Sequence, residues 1–377
     1  MKRIIIAAVI LLAAAAGTFF VSQPRNNPQE PTRGVVETLP PVVIITPTPS
    51  PTPEPAPEPT PPPPPIKLIV AGDVLTGEKI GPHIVADNYD KILDEVTAER
   101  FRNADVVMIN LETAVSKRGT PIPDKAYTFR SPPENLAFLR DYLGVDIGSL
   151  ANNHALDYGR DAFEDTLVHM REYGIEPIGG GMNLDEAAAP WIVEVGDVTI
   201  AFFASNQILP AVSWTATDSR SGQLVTRDPS NLGILEKNIR TAVEECDYVI
   251  VYMHWGIELD RRPNDMQKRT AHALADMGVD IVIGSHPHVI QSLEYYNDTP
   301  IIYSLGNFIF NSRNPETAYM EVTLDNGEMT IQLIPCKMNA QLTYPVDGEA
   351  AAELLAKWTD LSIKARLDES GFLLPTE

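Results

Sequence analysis

The sequence predicts an α/β domain with a largely parallel sheet, which follows a segment that cannot build a core. From Ile66 onward, short runs rich in β-branched residues alternate with stretches of helical periodicity, and this alternation is typical of βαβ units. The stretch 23–65 is instead dominated by proline, which removes backbone donors and favours extended conformations. A chain of 377 residues is long enough for one large α/β domain or two smaller ones.

The N-terminus has the layout of a secretion signal or a membrane anchor. Met1-Lys2-Arg3 gives a short basic start, and Ile4 to Val21 is an uncharged run close to the length of one bilayer crossing. We expect residues 1–22 to form an uncleaved anchor that leaves the rest of the chain outside the cytoplasmic membrane. Cleavage near the small residues Ala13–Ala16, which would release a secreted protein, is the alternative.

Residues 23–65 have the composition of a stalk. Proline alternates with small or acidic residues from Thr46 onward, and five consecutive prolines close the segment at Pro61–Pro65. We expect a semi-rigid polyproline II spacer that rises about 3 Å per residue and is followed by one folded domain over residues 66–377. A ligand for a proline-binding module is the alternative interpretation.

Strand and helix patterns follow one another along the predicted domain. The expected strands are Lys67–Ala71, Asp105–Asn110, Val145–Leu150, Thr199–Ala204, Tyr248–Met253, Asp280–Ile283 and Ile301–Leu305. The expected helices are Tyr89–Arg102, Pro133–Tyr142, Arg160–Tyr173, Ser230–Glu245 and Pro263–Met277. Asp325-Asn326-Gly327 predicts a hairpin with a primed turn between Tyr319–Leu324 and Met329–Pro335. A terminal helix, Gly348 to Lys364, is expected to pack on the outside.

The net charge limits the class of partner, whereas the cysteine content leaves the state of the thiols open. The formal net charge is -22 and no basic stripe is visible, so nucleic acid is not an expected partner. An anionic substrate would have to be held locally, most simply by metal ions. Cys246 and Cys336 are far apart in the sequence, so one disulfide and two buried free thiols both stay open.

Metal-capable side chains follow five of the predicted strands. They are Asp73, Glu112, the run Asn152-Asn153-His154, His254, and the pair His286 and His288. Because ligands bind at the carboxyl ends of strands in open α/β sheets, we expect these side chains to meet and bind metal. Each has a simpler alternative when taken alone; Asp73, for example, would serve equally as a helix N-cap. His83, His169 and His272 lie outside this pattern and are interpreted as structural.

The same residues resemble the motifs of a known family. Gly72-Asp73, Asn110-Leu-Glu112, Ala151 to Gly159, His254-Trp-Gly256, Gly284 to His288 and Tyr303 to Phe308 resemble, in order, the motif series of the CapA family of capsule and poly-γ-glutamate synthesis proteins. That family is similar to the calcineurin-like metallophosphoesterases. The resemblance therefore implies a metallophosphoesterase-like α/β/β/α sandwich, here preceded by the anchor and the stalk.

The resemblance also implies a role for each matching residue. A first metal ion would be bound by Asp73 and His288. A second metal ion would be bound by Asn153, His254 and His286. Glu112 would bridge the two ions. His154 would protonate a leaving group, with Asp157 orienting it. One or two divalent ions are implied, and the mixture of Asn, His and carboxylate ligands suits Mn, Fe or Zn better than Ca. The implied reaction is attack of activated water on a phosphorus or carbonyl centre.

Two positions depart from the metallophosphoesterase pattern. Where those enzymes usually place a histidine two residues after the first aspartate, this chain has Leu75, which cannot bind metal. The bridging aspartate is replaced by the longer Glu112. We therefore expect the first metal to be held more weakly, the second to be better occupied, and a one-metal state to be accessible.

Three further residues are candidates for substrate binding. Arg130, in a proline-bounded loop, would hold an anionic group or form a surface ion pair. Glu258 would line the cleft or pair with Arg261 or Arg262. Asn307 follows a sixth strand and would reach the site from there.

The predicted function follows from the site and the envelope location. We expect an extracytoplasmic CapA-like protein that acts in capsule or poly-γ-glutamate synthesis or export and carries a metal-dependent hydrolase-like site. Its expected partners are an envelope polymer such as poly-γ-glutamate and membrane synthesis proteins. The alternative is a non-catalytic, polymer-binding accessory subunit of a membrane complex. A purely structural adhesin would leave the cluster of strand-end residues unexplained.

Overall fold

Two β-sheets make up most of the protein. The computed structural model describes residues 64–227, 229–311 and 314–376, so the predicted anchor and nearly all of the predicted stalk lie outside the described residues. The strands are β1 (Ile66–Val74), β2 (Val106–Leu111), β3 (Ala114–Val115), β4 (Arg130–Ser131), β5 (Ile147–Ser149), β6 (Glu176–Ile178), β7 (Gly180–Gly181), β8 (Trp191–Val195), β9 (Val198–Asn206), β10 (Gly222–Gln223), β11 (Tyr248–His254), β12 (Ile281–Ser285), β13 (Leu293–Tyr296), β14 (Thr299–Ile302), β15 (Asn307–Ile309), β16 (Glu316–Asp325), β17 (Glu328–Asn339), β18 (Leu342–Pro345), β19 (Ala365–Leu367) and β20 (Leu373–Pro375).

The helices lie between these strands. They are α1 (Gly81–Val85), α2 (Glu95–Arg102), α3 (Arg160–Glu172), α4 (Leu184–Ala188), α5 (Pro229–Glu245), α6 (Asp265–Asp276) and α7 (Gly348–Leu361). Within the described ranges, no helix is both apolar and long enough to cross a membrane.

Two predicted helices are shorter or less regular than expected. The first begins only at Glu95, because the Asp94 side chain accepts a hydrogen bond from the backbone N–H of Thr97 and so caps the helix there. The second is a 3₁₀ turn followed by a π turn rather than an α-helix. The Asn135 side chain donates to the carbonyl of Thr76 (2.6 Å), which ties the 3₁₀ turn to the loop after β1.

Both sheets mix parallel and antiparallel pairs: the first is parallel from β1 to its edge strand β6 and antiparallel from β1 to its other edge, whereas the second is parallel at its centre and antiparallel at both edges. The first has the order β18-β17-β16-β1-β2-β5-β6, with β15 pairing with β1, and the second has the order β13-β14-β12-β11-β9-β8. The pairs β1–β2, β2–β5 and β5–β6 are parallel, as are β9–β11, β11–β12 and β12–β14. The predicted parallel character is correct for these strands. The sequence pattern did not reveal that they divide between two sheets.

Three hydrophobic cores separate four layers. Along β1, Val70 belongs to the core between the two sheets, whereas its neighbour Ile69 belongs to the core under α2 and α3. The second sheet alternates in the same way: Phe202 faces the first sheet and Phe203 faces α4, α5 and α6. Successive strand residues point to opposite faces, so each sheet is covered on both sides. This is the α/β/β/α arrangement that the resemblance implied.

The terminal helix packs on the outside, as predicted: Ala352, Glu353, Ala356 and Asp360 are exposed on one face, and the opposite face is buried. Leu354, Leu355 and Trp358 of α7 are buried and belong to the core between the sheets. The helix ends at Leu361 rather than Lys364, because the backbone N–H of Ile363 donates to the carbonyl of Leu293 in β13 (2.7 Å).

The predicted hairpin is confirmed. Asp325 of β16 lies opposite Glu328 of β17, which leaves a two-residue loop. Asn326 and Gly327 both have positive φ values, 51° and 80°, as a type I′ turn requires.

The cysteines are free thiols. Cys336 is buried in the core under the first sheet, whereas Cys246 is half-buried and packs with the core of the second helical layer. Burial raises the pKa of both thiols, so neither is an activated nucleophile.

Candidate metal centre

Asp73 lies inside β1 and is fully buried. Its Oδ1 accepts a hydrogen bond from Asn110 Nδ2 (2.8 Å), and its Oδ2 is 3.1 Å from His288 Nδ1. The neighbouring Gly72 is required because a Cβ there would lie 1.9 Å from the carbonyl oxygen of Gly306. The alternative of a helix N-cap is wrong, since the nearest helix has Ile80 at that position.

Glu112 follows β2 and is also fully buried. Its Oε2 is 3.2 Å from Asn110 Nδ2. Its Oε1 has no hydrogen-bond partner among the described residues and lies 3.9 Å from His154 Nε2 and 4.0 Å from His254 Nε2. A buried carboxylate oxygen without a partner is costly, and this one faces ring nitrogens, as a metal ligand would.

His288 completes a first set of ligands with Asp73 and Glu112. One side-chain atom of each residue lies within 4.8 Å of the others. His288 Nδ1 is also 2.8 Å from Asn307 Oδ1, and Asn307 is only 2% exposed. Asn307 therefore reaches the site as predicted, but it holds His288 rather than facing substrate.

The two carboxylates of this first set oppose each other electrostatically. Burial, and then the charge of Asp73, raise the pKa of Glu112 well above its ordinary value. Burial also opposes the charge of Asp73, but its hydrogen bond from His288 outweighs this and lowers its pKa. Burial opposes the charge of His288 too, yet Asp73 raises its pKa. A cation between the carboxylates would offset this repulsion.

Asn153, His254 and His286 form a second set. His254 Nε2 is 2.9 Å from Asn153 Oδ1, and the rings of His254 and His286 are 4.8 Å apart. His286 Nδ1 is buried without a hydrogen-bond partner among the described residues. Burial lowers the pKa of His254 and lowers that of His286 to about 3, so both rings are neutral, the state in which imidazole binds metal.

A strained turn brings His286 and His288 to the centre. Both residues have positive φ values, 96° and 58°, which are uncommon for residues with a Cβ. The carbonyl of the intervening Pro287 accepts a hydrogen bond from the backbone N–H of Leu259 (2.8 Å). Strain of this kind persists only where surrounding contacts enforce it, and it clusters at functional sites.

His154 points into the same centre from the loop after β5. Its Nδ1 is 2.6 Å from Asp157 Oδ2, and the ring of Phe129 stacks on it with centroids 4.2 Å apart. The other ring nitrogen, Nε2, faces Glu112. Asp157 thus contacts and orients His154, in the arrangement that the resemblance implied.

Lys125 belongs to this site, although the sequence analysis did not identify it. Its Nζ donates to the backbone carbonyl of Asn153 and to Asp157 Oδ1, and lies 3.0 Å from His154 Nδ1. Burial lowers the pKa of Lys125, although the charge of Asp157 opposes the shift. A lysine in a polar loop usually lies at the surface. The one sequence feature that could have indicated its place in the site is its proximity to Phe129 and Arg130.

Leu75 is buried in a small apolar cluster with Phe310 and Met338. The ring of Phe310 packs against that of His288, with centroids 5.0 Å apart. Apolar side chains therefore lie beside the first set of candidate ligands, on the segment where metallophosphoesterases usually have a further histidine.

Arg130 and Glu258 are both exposed. The guanidinium of Arg130 lies over the ring of Tyr158 (4.3 Å), and no acidic side chain pairs with it among the described residues. Arg261 pairs with Glu316 (2.7 Å) instead of with Glu258. Burial opposes the charges of Lys125 and His288, and the negative charge of Glu258 acts against burial at both residues.

The donor atoms fit divalent ions. Two candidate ligands, Glu112 and His286, have buried atoms without a hydrogen-bond partner in the part of the chain that the structure describes, and two carboxylates lie close together in the interior. Asp73, Glu112 and His288 would hold one ion, and Asn153, His254 and His286 with Glu112 would hold another.

Comparison with known proteins gives the family. Residues 67–312 match the bacterial capsule synthesis protein family PGA_cap. This chain belongs to that family. The PGA biosynthesis protein CapA of Bacillus subtilis (strain 168) is 31% identical over 288 residues, with 74% of this chain and 73% of that protein covered.

One further relative and one solved structure extend the comparison. A probable polyglutamine synthesis accessory protein of Mycobacterium tuberculosis (strain ATCC 25618 / H37Rv) is 31% identical over 211 residues, covering 54% of this chain and 55% of that one. A solved putative 5'-nucleotidase from Staphylococcus aureus superposes with a TM-score of 0.42 at 16% identity, over 78% of this chain and 58% of that one. The four-layer fold assignment rests on the chain's own sheets and cores.

Proposed function

We propose that this PGA_cap protein is tethered to the outside of the cytoplasmic membrane and hydrolyses a phosphate ester or an amide bond during capsule or poly-γ-glutamate synthesis or export. One observation carries the enzymatic part of the proposal. The buried group Asp73, Glu112 and His288 lies next to His154, whose Nε2 is 3.9 Å from Glu112 Oε1.

The polymer context comes from the relatives. The Bacillus subtilis protein is named for PGA biosynthesis, and the family is named for capsule synthesis. The basic start and the apolar run of residues 1–22 support an external, anchored location. Membrane synthesis proteins would then be neighbours of the domain.

The residues of the site divide the catalytic work. Bound divalent ions would supply charge neutralisation and a lowered pKa for water. His154 is placed to give a proton to the departing oxygen or nitrogen, because its Nε2 faces the centre while Asp157 holds Nδ1. Phe129 stacks on the ring and keeps bulk water from that face. The proposed contacts to substrate are Arg130 and Glu258, because both side chains are exposed.

A second candidate function is a polymer-binding accessory role without catalysis. Leu75 occupies a position where metallophosphoesterases usually have a metal-binding histidine, and it is packed into an apolar cluster. One relative is named as a probable synthesis accessory protein. A centre with one fewer ligand would keep a metal for structure and use the cleft to hold polymer.

One experiment separates the two functions. The full chain is purified, its bound metal is measured, and hydrolysis is assayed on a phosphomonoester, a phosphodiester and a γ-glutamyl peptide. Metal-dependent turnover that falls by at least 10²-fold in His154→Ala and is unchanged in His169→Ala supports the enzyme. His169 is a suitable control because it pairs with Glu172 on the outer face of α3. Tight metal and polymer binding without turnover would instead establish the accessory role.

A further inference from the structure

Four buried residues with amide side chains are linked by hydrogen bonds, one of them through a backbone carbonyl, in a series that ends at the candidate metal centre. Asn206 Nδ2 donates to Gln223 Oε1 (2.7 Å), and Gln223 Nε2 donates to the backbone carbonyl of Asn152 (2.6 Å). Asn152 Nδ2 then donates to Asn110 Oδ1 (3.0 Å). All four residues are 0% exposed. We call Asn206, Gln223, Asn152 and Asn110 the amide chain.

The last member of the amide chain contacts both carboxylates of the first set. Asn110 Nδ2 is 2.8 Å from Asp73 Oδ1 and 3.2 Å from Glu112 Oε2. It is also 3.4 Å from His254 Nδ1 in the second set. One neutral donor group thus touches ligands of both predicted ions.

The direction of the amide chain is fixed by backbone groups that can only donate. The N–H of Ile208 donates to Asn206 Oδ1 (2.7 Å), and the N–H of His154 donates to Asn152 Oδ1 (3.0 Å). Each asparagine must therefore turn its NH₂ group towards the next member. Asn110 consequently presents Oδ1 to Asn152 and its NH₂ group to the carboxylates.

We propose that the amide chain is the positioning element that fixes Asp73, Glu112 and the backbone before Asn153 for cation binding. This inference rests on the proposed metal-dependent function. Asn110 holds two mutually repelling carboxylates on one donor, and the chain brings no net charge that would compete with a cation. Gln223 anchors the peptide group that precedes the ligand Asn153.

The amide chain also connects the centre to a distant loop. Asn206 ends β9 and Gln223 lies in β10, so their hydrogen bond closes the base of the loop 207–221. Trp214 in this loop lies 5.4 Å from Lys125 Nζ. The loop supports the site from two directions without supplying a ligand.

A role in packing alone would give a different outcome on substitution. Gln223→Met removes both amide contacts with little change in volume. Gln267→Met is the matched control, because Gln267 is 1% exposed and donates to Gln291 Oε1 (2.7 Å) in a separate amide pair. If the amide chain only packs the core, both variants lose stability alike and neither changes metal affinity selectively.

The first test titrates the purified full chain with Mn²⁺ by calorimetry and with Co²⁺ by visible absorption. Gln223→Met is expected to lower metal affinity about 10–100-fold and to change the Co²⁺ spectrum, as loss of a group that orients ligands does. Gln267→Met is expected to keep wild-type affinity and spectrum at a comparable loss of melting temperature. Equal affinities in the two variants would overturn the proposal.

A second variant and a metal-free measurement keep the inference separate from the proposed function. Asn206→Asp keeps the acceptor for Ile208 but turns the donor facing Gln223 into an acceptor, which breaks the chain three members from the carboxylates. In metal-free protein labelled with ¹⁵N-asparagine, the NH₂ protons of Asn110 are expected to exchange slowly in the wild type and at least tenfold faster in this variant. If the NH₂ protons of Asn110 exchange equally slowly in Asn206→Asp and in the wild type, the amide chain is refuted. If they exchange slowly in a wild type that proves unable to bind metal, only the metal-dependent function is refuted.

Discussion

Lys125 places a half-buried positive charge among three groups of the candidate site. It contacts the backbone of Asn153 and the side chains of His154 and Asp157, so one ammonium group links the loop that carries Asn153 to the proposed proton donor. Asp157 is fully buried and would otherwise carry an uncompensated charge. At the scale of single residues, this ion pair helps to hold His154 and the backbone of Asn153 in position.

The ion pair gives a prediction about stability. Lys125→Met is expected to lower the free energy of unfolding by about 3 kcal/mol, because it leaves the carboxylate of Asp157 buried without a cation. Asp157→Asn combined with Lys125→Met should cost clearly less than the sum of the single changes. Urea unfolding of the three variants measures this coupling, and simple additivity would contradict the assigned role.

At the scale of elements, α7 lies at the surface and contacts both sheets through its buried face. Its buried face lies in the core between the sheets, and Lys357 on the same helix pairs with Glu316 of β16 (2.7 Å). Glu316 also pairs with Arg261 (2.7 Å), which lies in the loop after β11. One carboxylate therefore joins the first sheet, the terminal helix and a loop at the metal centre.

The buried face of α7 can be tested by truncation. Trp358→Ala is expected to lower the free energy of unfolding by about 3–5 kcal/mol, since it removes a fully buried side chain and leaves a cavity. Glu353→Ala, an exposed position on the same helix, is the control and should change stability by less than about 0.5 kcal/mol. Similar effects of the two changes in urea unfolding would place Trp358 outside the core.

The Glu316 ion pairs predict a pH dependence. Burial opposes the charge of Glu316, but Lys357 and Arg261 outweigh it and lower its pKa. The folded state therefore binds this proton less readily than the unfolded state, and the stabilisation is present above the ordinary glutamate pKa of about 4.3. We expect Glu316→Gln to be less stable than the wild type by about 1 kcal/mol at pH 7.

That difference should shrink as the pH falls through the lowered pKa of Glu316 and vanish below it. Urea unfolding of both proteins between pH 7 and pH 3 measures the effect. A difference that stays constant over this range would mean that the ion pairs contribute no stability.

At the scale of the whole molecule, the metal centre joins the two sheets. Asp73 and Glu112 come from the first sheet, and His254 and His286 come from the second. A bound cation would link ligands across the interface, so its binding energy would add to folding stability.

Metal removal should therefore lower the melting temperature. Free Mn²⁺ at about 100 times its dissociation constant is expected to add about 2.7 kcal/mol to the free energy of unfolding. Glu112→Gln should abolish this gain because it removes the shared ligand.

After dialysis against a chelator we expect one retained equivalent of metal, held by the second set, because Leu75 leaves the first set one ligand short. Two retained equivalents would contradict this order of affinity.

The order of the elements and most of the candidate ligands could be predicted from local patterns in the sequence. Strand patterns are local, and a ligand that follows a strand stays at that strand's end, so Asp73, Glu112 and His254 were predictable from their positions. The Asp325-Asn326-Gly327 turn was predictable for the same reason. The N-terminal anchor and the stalk stay predictions, since residues 1–63 are not described.

Which distant residues meet became known from the folded structure alone. The hydrogen bond from Gln223 to Asn152 joins positions 71 residues apart, and no periodicity in the chain marks such a contact. No sequence pattern marked Lys125 or Gln223 as part of the site, because burial depends on what packs from elsewhere in the chain. The sequence thus placed the ligands at the strand ends, whereas the packing of two sheets decided what holds them in place.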